Sequence, residues 1–206
     1  MGSEALKSIK SDFGENAPVE WHGCDLGNLE QTREVVSNIA EKEQRLDLVR
    51  SILRTACIVI FLMLTASKLI LSAGINATPY ELDHDGIERL FGVDWLGQYY
   101  VVNILYPLLR KTSKEPDAWA PRIIFESSEV HRAAPSSVSF DSLDEINDSN
   151  LGPAQLYARA KLAMILGAKY GLVQKVIKPN NDNIYAISVH PGAVSFPLIW
   201  ILTLSD

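Results

Sequence analysis

The chain has 206 residues, 47% of them apolar and 21% charged, which is enough to bury one substantial core. Its net charge of −6 comes without any cluster of Lys and Arg, which argues against nucleic acid as a main partner, since phosphate binding needs such a stripe. Cys24, Cys57 and the four scattered histidines fit no metal-ligand spacing, so no metal is expected and both thiols are expected to be buried. The opening residues show no basic segment leading into an apolar core, and a reducing, cytoplasmic setting is the default expectation.

In chain order, Gly2 to Ser11 predict a short surface helix, ended by the turn Gly14-Glu-Asn-Ala-Pro18. Val19 to Cys24 alternates apolar and polar residues as a strand does, with Asp25-Leu26 at its end. Asp25, shortly before Asn28, also has the ordinary reading of a helix-capping residue. From Leu29 to Leu46, Val35, Val36, Ile39 and Ala40 recur on one face of an amphipathic helix.

The stretch from Val49 to Lys68 then interrupts the pattern with the apolar run Ala56 to Leu64. A membrane span needs roughly 20 predominantly apolar residues, whereas only thirteen residues in all lie between Arg54 and Lys68. An extra strand or core helix inserted into the sheet would split a strand from its pattern. The favoured reading is intron-derived sequence. Excising Val49 to Lys68 joins Leu46-Asp47-Leu48 directly to Leu69-Ile-Leu-Ser-Ala-Gly74, and both Val49-Arg50 and Leu64-Thr65 can be encoded by splice-signal codons. Attachment to a membrane through residues 51–66 is the alternative.

Beyond it, Asp85 to Arg110 predicts a long helix whose apolar face is wider than one sheet needs, so a partner helix is expected. Arg122 to Ser128 reads as a buried strand entering a loop. Residues 133–150, rich in Ser, Asp and Pro, form either a loop over a site or a plain surface excursion. Leu151 to Lys178 predicts a helix with Gly152-Pro153 at its start, and Asn183 to Val189 a strand followed by the Pro191-Gly192 turn.

The candidate chemistry lies in Tyr157 and Lys161, four residues apart and therefore on one helical face. A phenol titrates near 10, so it transfers a proton near neutrality only where a fixed positive charge favours the phenolate. Most Tyr-x-x-x-Lys pairs are ordinary neighbours on a solvated face. What distinguishes this pair is its company: Ser127-Ser128 ending one apolar run, Ser72-Ala73-Gly74 ending another, and His190-Pro-Gly-Ala-Val194 closing a third.

In order and spacing, with 28 residues between Ser128 and Tyr157, these motifs resemble the short-chain dehydrogenase/reductases. Ser127 to Arg132 is most similar to the retinol-dehydrogenase and WW-domain-oxidoreductase branch. The resemblance implies an α/β fold: a partial Rossmann-like, doubly wound parallel sheet lacking the first βαβ unit, in one incomplete NAD(P)-binding domain over residues 1–206. It implies an oxidoreductase using NADP, favoured over NAD, on a small-molecule carbonyl or secondary alcohol. Tyr157 is then the acid/base, Lys161 lowers its pKa and binds ribose, and Ser128 orients the substrate oxygen. Asp25 and Leu26 fall at the adenine, Ser72, Ala73 and Gly74 where the backbone approaches the cofactor, and Pro191, Gly192 and Val194 by the nicotinamide. A homodimer through the 85–110 and 151–178 helices is implied as well.

The sequence departs from the family in four places. Asp94 stands where the family has an Asn that kinks the helix and holds a water in the relay to the lysine, and Ser72 stands for another Asn. The tail 195–206 is atypical, and no Gly-x-x-x-Gly-x-Gly precedes Asp25. The expectation is therefore weak or no activity, with a non-catalytic fragment that associates through its helices as the alternative.

Overall fold

The structure, a computed structural model, describes residues 2–16, 20–46, 48–52, 59–60 and 68–192. Its sheet is built from β1 (Leu48–Ile52), β2 (Val59–Ile60), β3 (Lys68–Leu71), β4 (Arg122–Glu126) and β5 (Tyr185–Val189), in the order β2-β1-β3-β4-β5. β1, β3, β4 and β5 run parallel and β2 is antiparallel to β1.

Register explains which side chains are inside. Leu69 pairs with Ile123 and Leu71 with Phe125, so these four share a face, and all are 0–1% exposed. Ile70 and Ile124 share the other face with Ile187, which is 41% exposed. Ile70 and Ile124 themselves are partly buried. β3, β4 and β5 advance in one direction across the sheet, joined by helical crossovers, and the parallel sheet with its helices is the expected partial Rossmann-like α/β fold.

The covered face carries α2 (Leu29–Lys42), the segment formed by α3 (Arg89–Phe91), a π-helical turn (Gly92–Leu96) and α4 (Gly97–Thr112), and the segment formed by α6 (Pro153–Leu166), a second π-helical stretch (Gly167–Ile177) and α7 (Lys178–Asn180). A short helix α1 (Gly2–Phe13) opens the chain, and α5 (Leu143–Ile146) lies in the loop before α6. α2 starts where Asn28 accepts a hydrogen bond from the Gln31 amide at 2.9 Å, so Asn28 and not Asp25 is the cap. It buries Thr32, Val36 and Ile39 and packs on α4. The helix stops at Lys42, four residues before the predicted end.

One further expectation is corrected: among the described residues, 20–25 form no strand and pair with none of the five in the sheet. β1 lies beside β3 as a strand of its own, and the intron-derived reading of Val49 to Lys68 is a proposal that sequencing cDNA across the junction tests. Residues 53–58 and 61–67, Cys57 included, lie outside the described residues, as does the tail 195–206. Among the described residues no helix is long and apolar enough to cross a membrane.

The α4 register on the rest of the core is set by close backbone approach. A Cβ added at Gly97 would press into the Leu26 carbonyl oxygen and stand 2.9 Å from Leu26 Cβ. Backbone cannot swing aside as a side chain can, so Gly97→Ala is expected to destabilise by about 1–3 kcal/mol. Chemical denaturation of the two proteins measures the difference.

Candidate active site

In a parallel sheet the strand ends share one edge, and this edge gathers the motifs. β3 runs into Ser72-Ala73-Gly74, β4 into Ser127-Ser128, and β5 into His190-Pro191-Gly192. Ser128 has extended backbone and starts the 3₁₀ turn Glu129–Ala133, its hydroxyl accepting from the Val130 amide at 3.3 Å. Against this edge lies α6, begun by Gly152-Pro153, with Ala158, Ala160 and Ala163 buried so that its backbone comes close. Ser127 fixes the contact by donating to the Lys161 carbonyl at 2.8 Å.

Tyr157, Lys161, Ser128 and Asp94 are brought together. The Lys161 ammonium stands 5.3 Å from the centroid of the Tyr157 ring, and Ser128 lies near enough to the Tyr157 hydroxyl to favour its phenolate. Lys161 is 5% exposed and donates to the Glu126 carbonyl at 3.3 Å. Its counter-ion is Asp94, 3.4 Å away and fully buried. Asp94 accepts from the Ile75 amide at 2.7 Å through one oxygen, while the oxygen nearer Lys161 has no well-aligned donor.

Asp94 sits in the π-helical turn Gly92–Leu96. Gln98 braces it by donating to the Asp94 carbonyl at 2.8 Å and to the Ala73 carbonyl. A Cβ on Gly74 would lie 3.3 Å from both Asp94 Oδ2 and Lys161 Nζ, so Gly74 closes over this pair.

The electrostatics differ from expectation in sign. Burial pushes the Asp94 carboxyl up to about 6, with Lys161 and the Ile75 amide opposing. Tyr157 is raised above its usual value of 10.0, mainly by burial. Lys161 pulls it down as predicted and Ser128 helps, but burial together with the Asp94 charge prevails.

The expected cofactor residues divide. Ser72 is half-buried, Ala73 is buried and Gly74 borders the cluster. Pro191 and Gly192 are exposed at the end of β5, with Gly192 at φ +93°, a turn that glycine allows. Val194 lies outside the described residues. Asp25 is not turned towards the cluster: its carboxylate accepts from the Gly27 amide at 2.9 Å. Leu26 is buried and meets α4 at Gly97, three residues beyond Asp94. Cys24 is buried, with its thiol 3.5 Å from the Thr32 hydroxyl.

Sequence reasoning passed over Gln98, the Glu126 carbonyl and Arg159. Only Arg159 carried a signal, as a charged residue on the Ala-rich, buried side of α6.

No family model matches the chain. It is similar to the protein of Neurospora crassa named as the mitochondrial oxidoreductase bli-4, at 32% identity over 93% of this chain and 42% of that protein. A short-chain dehydrogenase/reductase of Armillaria gallica is 28% identical over 93% of this chain and 54% of its own. Retinol dehydrogenase 14 of Homo sapiens is 27% identical over 82% of this chain and 40% of its own. The chain thus spans about half the length of the curated relatives it matches. Among solved structures, carbonyl reductase Sniffer of D. melanogaster shares the fold at a TM-score of 0.60, with 17% identity over 95% of this chain and 67% of that one. With the four site motifs gathered at one sheet edge and these likenesses across most of its length, the chain is similar to the short-chain dehydrogenase/reductases, retinol dehydrogenase 14 among them, and shares their fold.

Proposed function

We propose that the chain carries the reacting half of an NADP-dependent oxidoreductase acting on the carbonyl or hydroxyl of a small molecule. The observation that supports this most is the Ser128–Tyr157–Lys161 cluster at the carboxyl edge of a parallel sheet. Ser128 holds the substrate oxygen, Tyr157 gives or takes its proton, and Lys161 fixes the charge beneath the phenol. The nicotinamide cofactor supplies or accepts the hydride.

The residues present fit that cofactor at its reacting end. Gly74 is tight over the Asp94–Lys161 pair, where a larger residue would crowd the approach, and Gly192 turns the backbone after β5. Ser72, Ala73, Pro191 and Val194 are the further contacts expected there, with Lys161 and Tyr157 at the ribose. Among the described residues nothing resembles a glycine-rich pyrophosphate turn, so no contact at that end is assigned. Asp25 and Leu26 are proposed at the adenine only if the Asp25 carboxylate leaves its own turn.

Asp94 belongs to the same machinery. At neutral pH its carboxylate takes up part of the Lys161 charge and leaves Tyr157 a weaker acid, so slow turnover is expected. A homodimer through α4 and the 153–177 helical segment is proposed alongside, at the groove of about 190 Å³ between Tyr99, Tyr106, Leu172 and Val176. Titration with NADPH and NADH tests the reading. Saturable fluorescence enhancement, stronger with NADPH, is expected. Its absence in folded protein would sink the oxidoreductase reading in favour of the non-catalytic one.

A further inference from the structure

Two residues beyond Tyr157, on the far side of α6, Arg159 is completely buried. A buried guanidinium is retained only where its donors are used. Arg159 uses its two terminal nitrogens on three neighbours, while its Nε has no hydrogen-bond partner among the described residues. Nη1 donates to the Glu145 carbonyl at 2.7 Å, Nη2 donates to the Ile146 carbonyl, and Nη2 lies 3.5 Å from the Glu88 carboxylate.

Each neighbour leads elsewhere. Glu145 and Ile146 end α5 in the loop between Ser128 and Tyr157, and the Glu145 carboxylate accepts from the Phe140 amide at 2.7 Å. Glu88, also fully buried, accepts from the Leu90 and Phe91 amides at 2.9 and 3.0 Å, capping the helical segment that carries Asp94. The two sides are tied again by Asn147, which accepts from the Glu88 amide and donates to the Gly86 carbonyl, both at 2.8 Å. Phe140 stacks on Phe91 at 5.9 Å between centroids.

We propose that Arg159 is a positioning residue that latches the 140–147 loop, through Glu88 and Asn147, onto the helical segment carrying Asp94, and so fixes the substrate-side wall beside Ser128. The catalytic pair and the latch alternate along one helix: Tyr157 and Lys161 face the sheet edge, and Arg159 between them faces the loop. The planar fork of arginine matters, because a lysine would keep the charge towards Glu88 but could not serve two successive carbonyls as well. The latch stands on the contacts alone; its effect on substrate rests on the oxidoreductase reading above.

The test is amide hydrogen exchange on the full chain and on Arg159→Lys. Exchange over residues 140–150 is expected to quicken by roughly tenfold or more, while residues 122–126 in β4 and 153–166 in α6 keep their rates. Substrate KM is expected to rise with kcat and NADPH affinity unchanged, a split that general loosening does not produce. Unchanged exchange at 140–150, or equal quickening in β4, overturns the latch. If Arg159→Lys does not fold, Asn147→Ala decides, with the same local quickening expected and its absence counting against the proposal. If wild-type protein binds neither NADPH nor NADH, the oxidoreductase reading fails, while the exchange comparison still decides the latch.

Discussion

Tyr157→Phe is expected to lower turnover by roughly 10²- to 10⁴-fold, the usual contribution of a positioned acid/base, and to leave NADPH fluorescence enhancement within about twofold. The change removes one oxygen from a half-buried side chain beside Ser128, and little of the packing of α6 depends on it. Lys161 keeps the Glu126 carbonyl and Asp94, so its own position is held without the phenol. The direction of the reaction sharpens the test. Because burial holds Tyr157 above 10.0, it is a neutral phenol at pH 7 and is ready to donate to a carbonyl. Reduction should run across neutral pH and fall only as pH passes the raised value. Oxidation needs the phenolate and should climb with pH throughout. In Tyr157→Phe both dependences should vanish together. Residual turnover with an unchanged pH profile would assign the proton to another group.

What could be read from sequence was whatever depends on local order. Apolar runs closed by small residues gave three of the sheet strands nearly to the residue, because a buried parallel strand is a continuous apolar stretch and its end is marked by Gly or Ser. Four-residue spacing gave Tyr157 and Lys161 one face. Failures came where the outcome depends on a partner distant in sequence. Val19 to Cys24 has the pattern of a strand, but pattern cannot supply the neighbouring edge, and residues 20–25 stay unpaired. Leu48–Ile52 found an edge beside β3 that no local pattern foretold. The sign of the Tyr157 shift was missed for a related reason. Lys161 was visible four residues away, but the burial that outweighs it is assembled from β4, α6 and the helical segment of Asp94 together. Arg159 was legible only as an oddity, since its three partners are separated from it by 13 to 71 positions.

Asp94→Asn is expected to raise turnover at pH 7 by roughly tenfold, the scale on which one neighbouring charge acts at a desolvated site. Asp94 is the charged group that opposes Lys161 most directly. Its carboxylate raises the Tyr157 pKa, and replacing it with a neutral amide leaves the ammonium free to act on the phenol. The amide can keep the bond from Ile75 through its oxygen, so the backbone after Gly74 need not move. Stability should respond as well, with a definite sign. The Asp94 carboxyl titrates near 3.8 in an unfolded chain and about 6 in the folded one, so the folded state holds its proton more tightly. The associated stability is fully present below the unfolded value and is lost as pH rises through the folded one, a change of about 3 kcal/mol. A carboxamide at this position has no proton to lose, and the loss on going from acid to neutral pH should flatten in Asp94→Asn. Denaturation midpoints on either side of the folded-state titration, with turnover measured at both, separate the outcomes. A variant as slow as wild type at pH 7, with the same fall in stability, would remove Asp94 from control of the phenol.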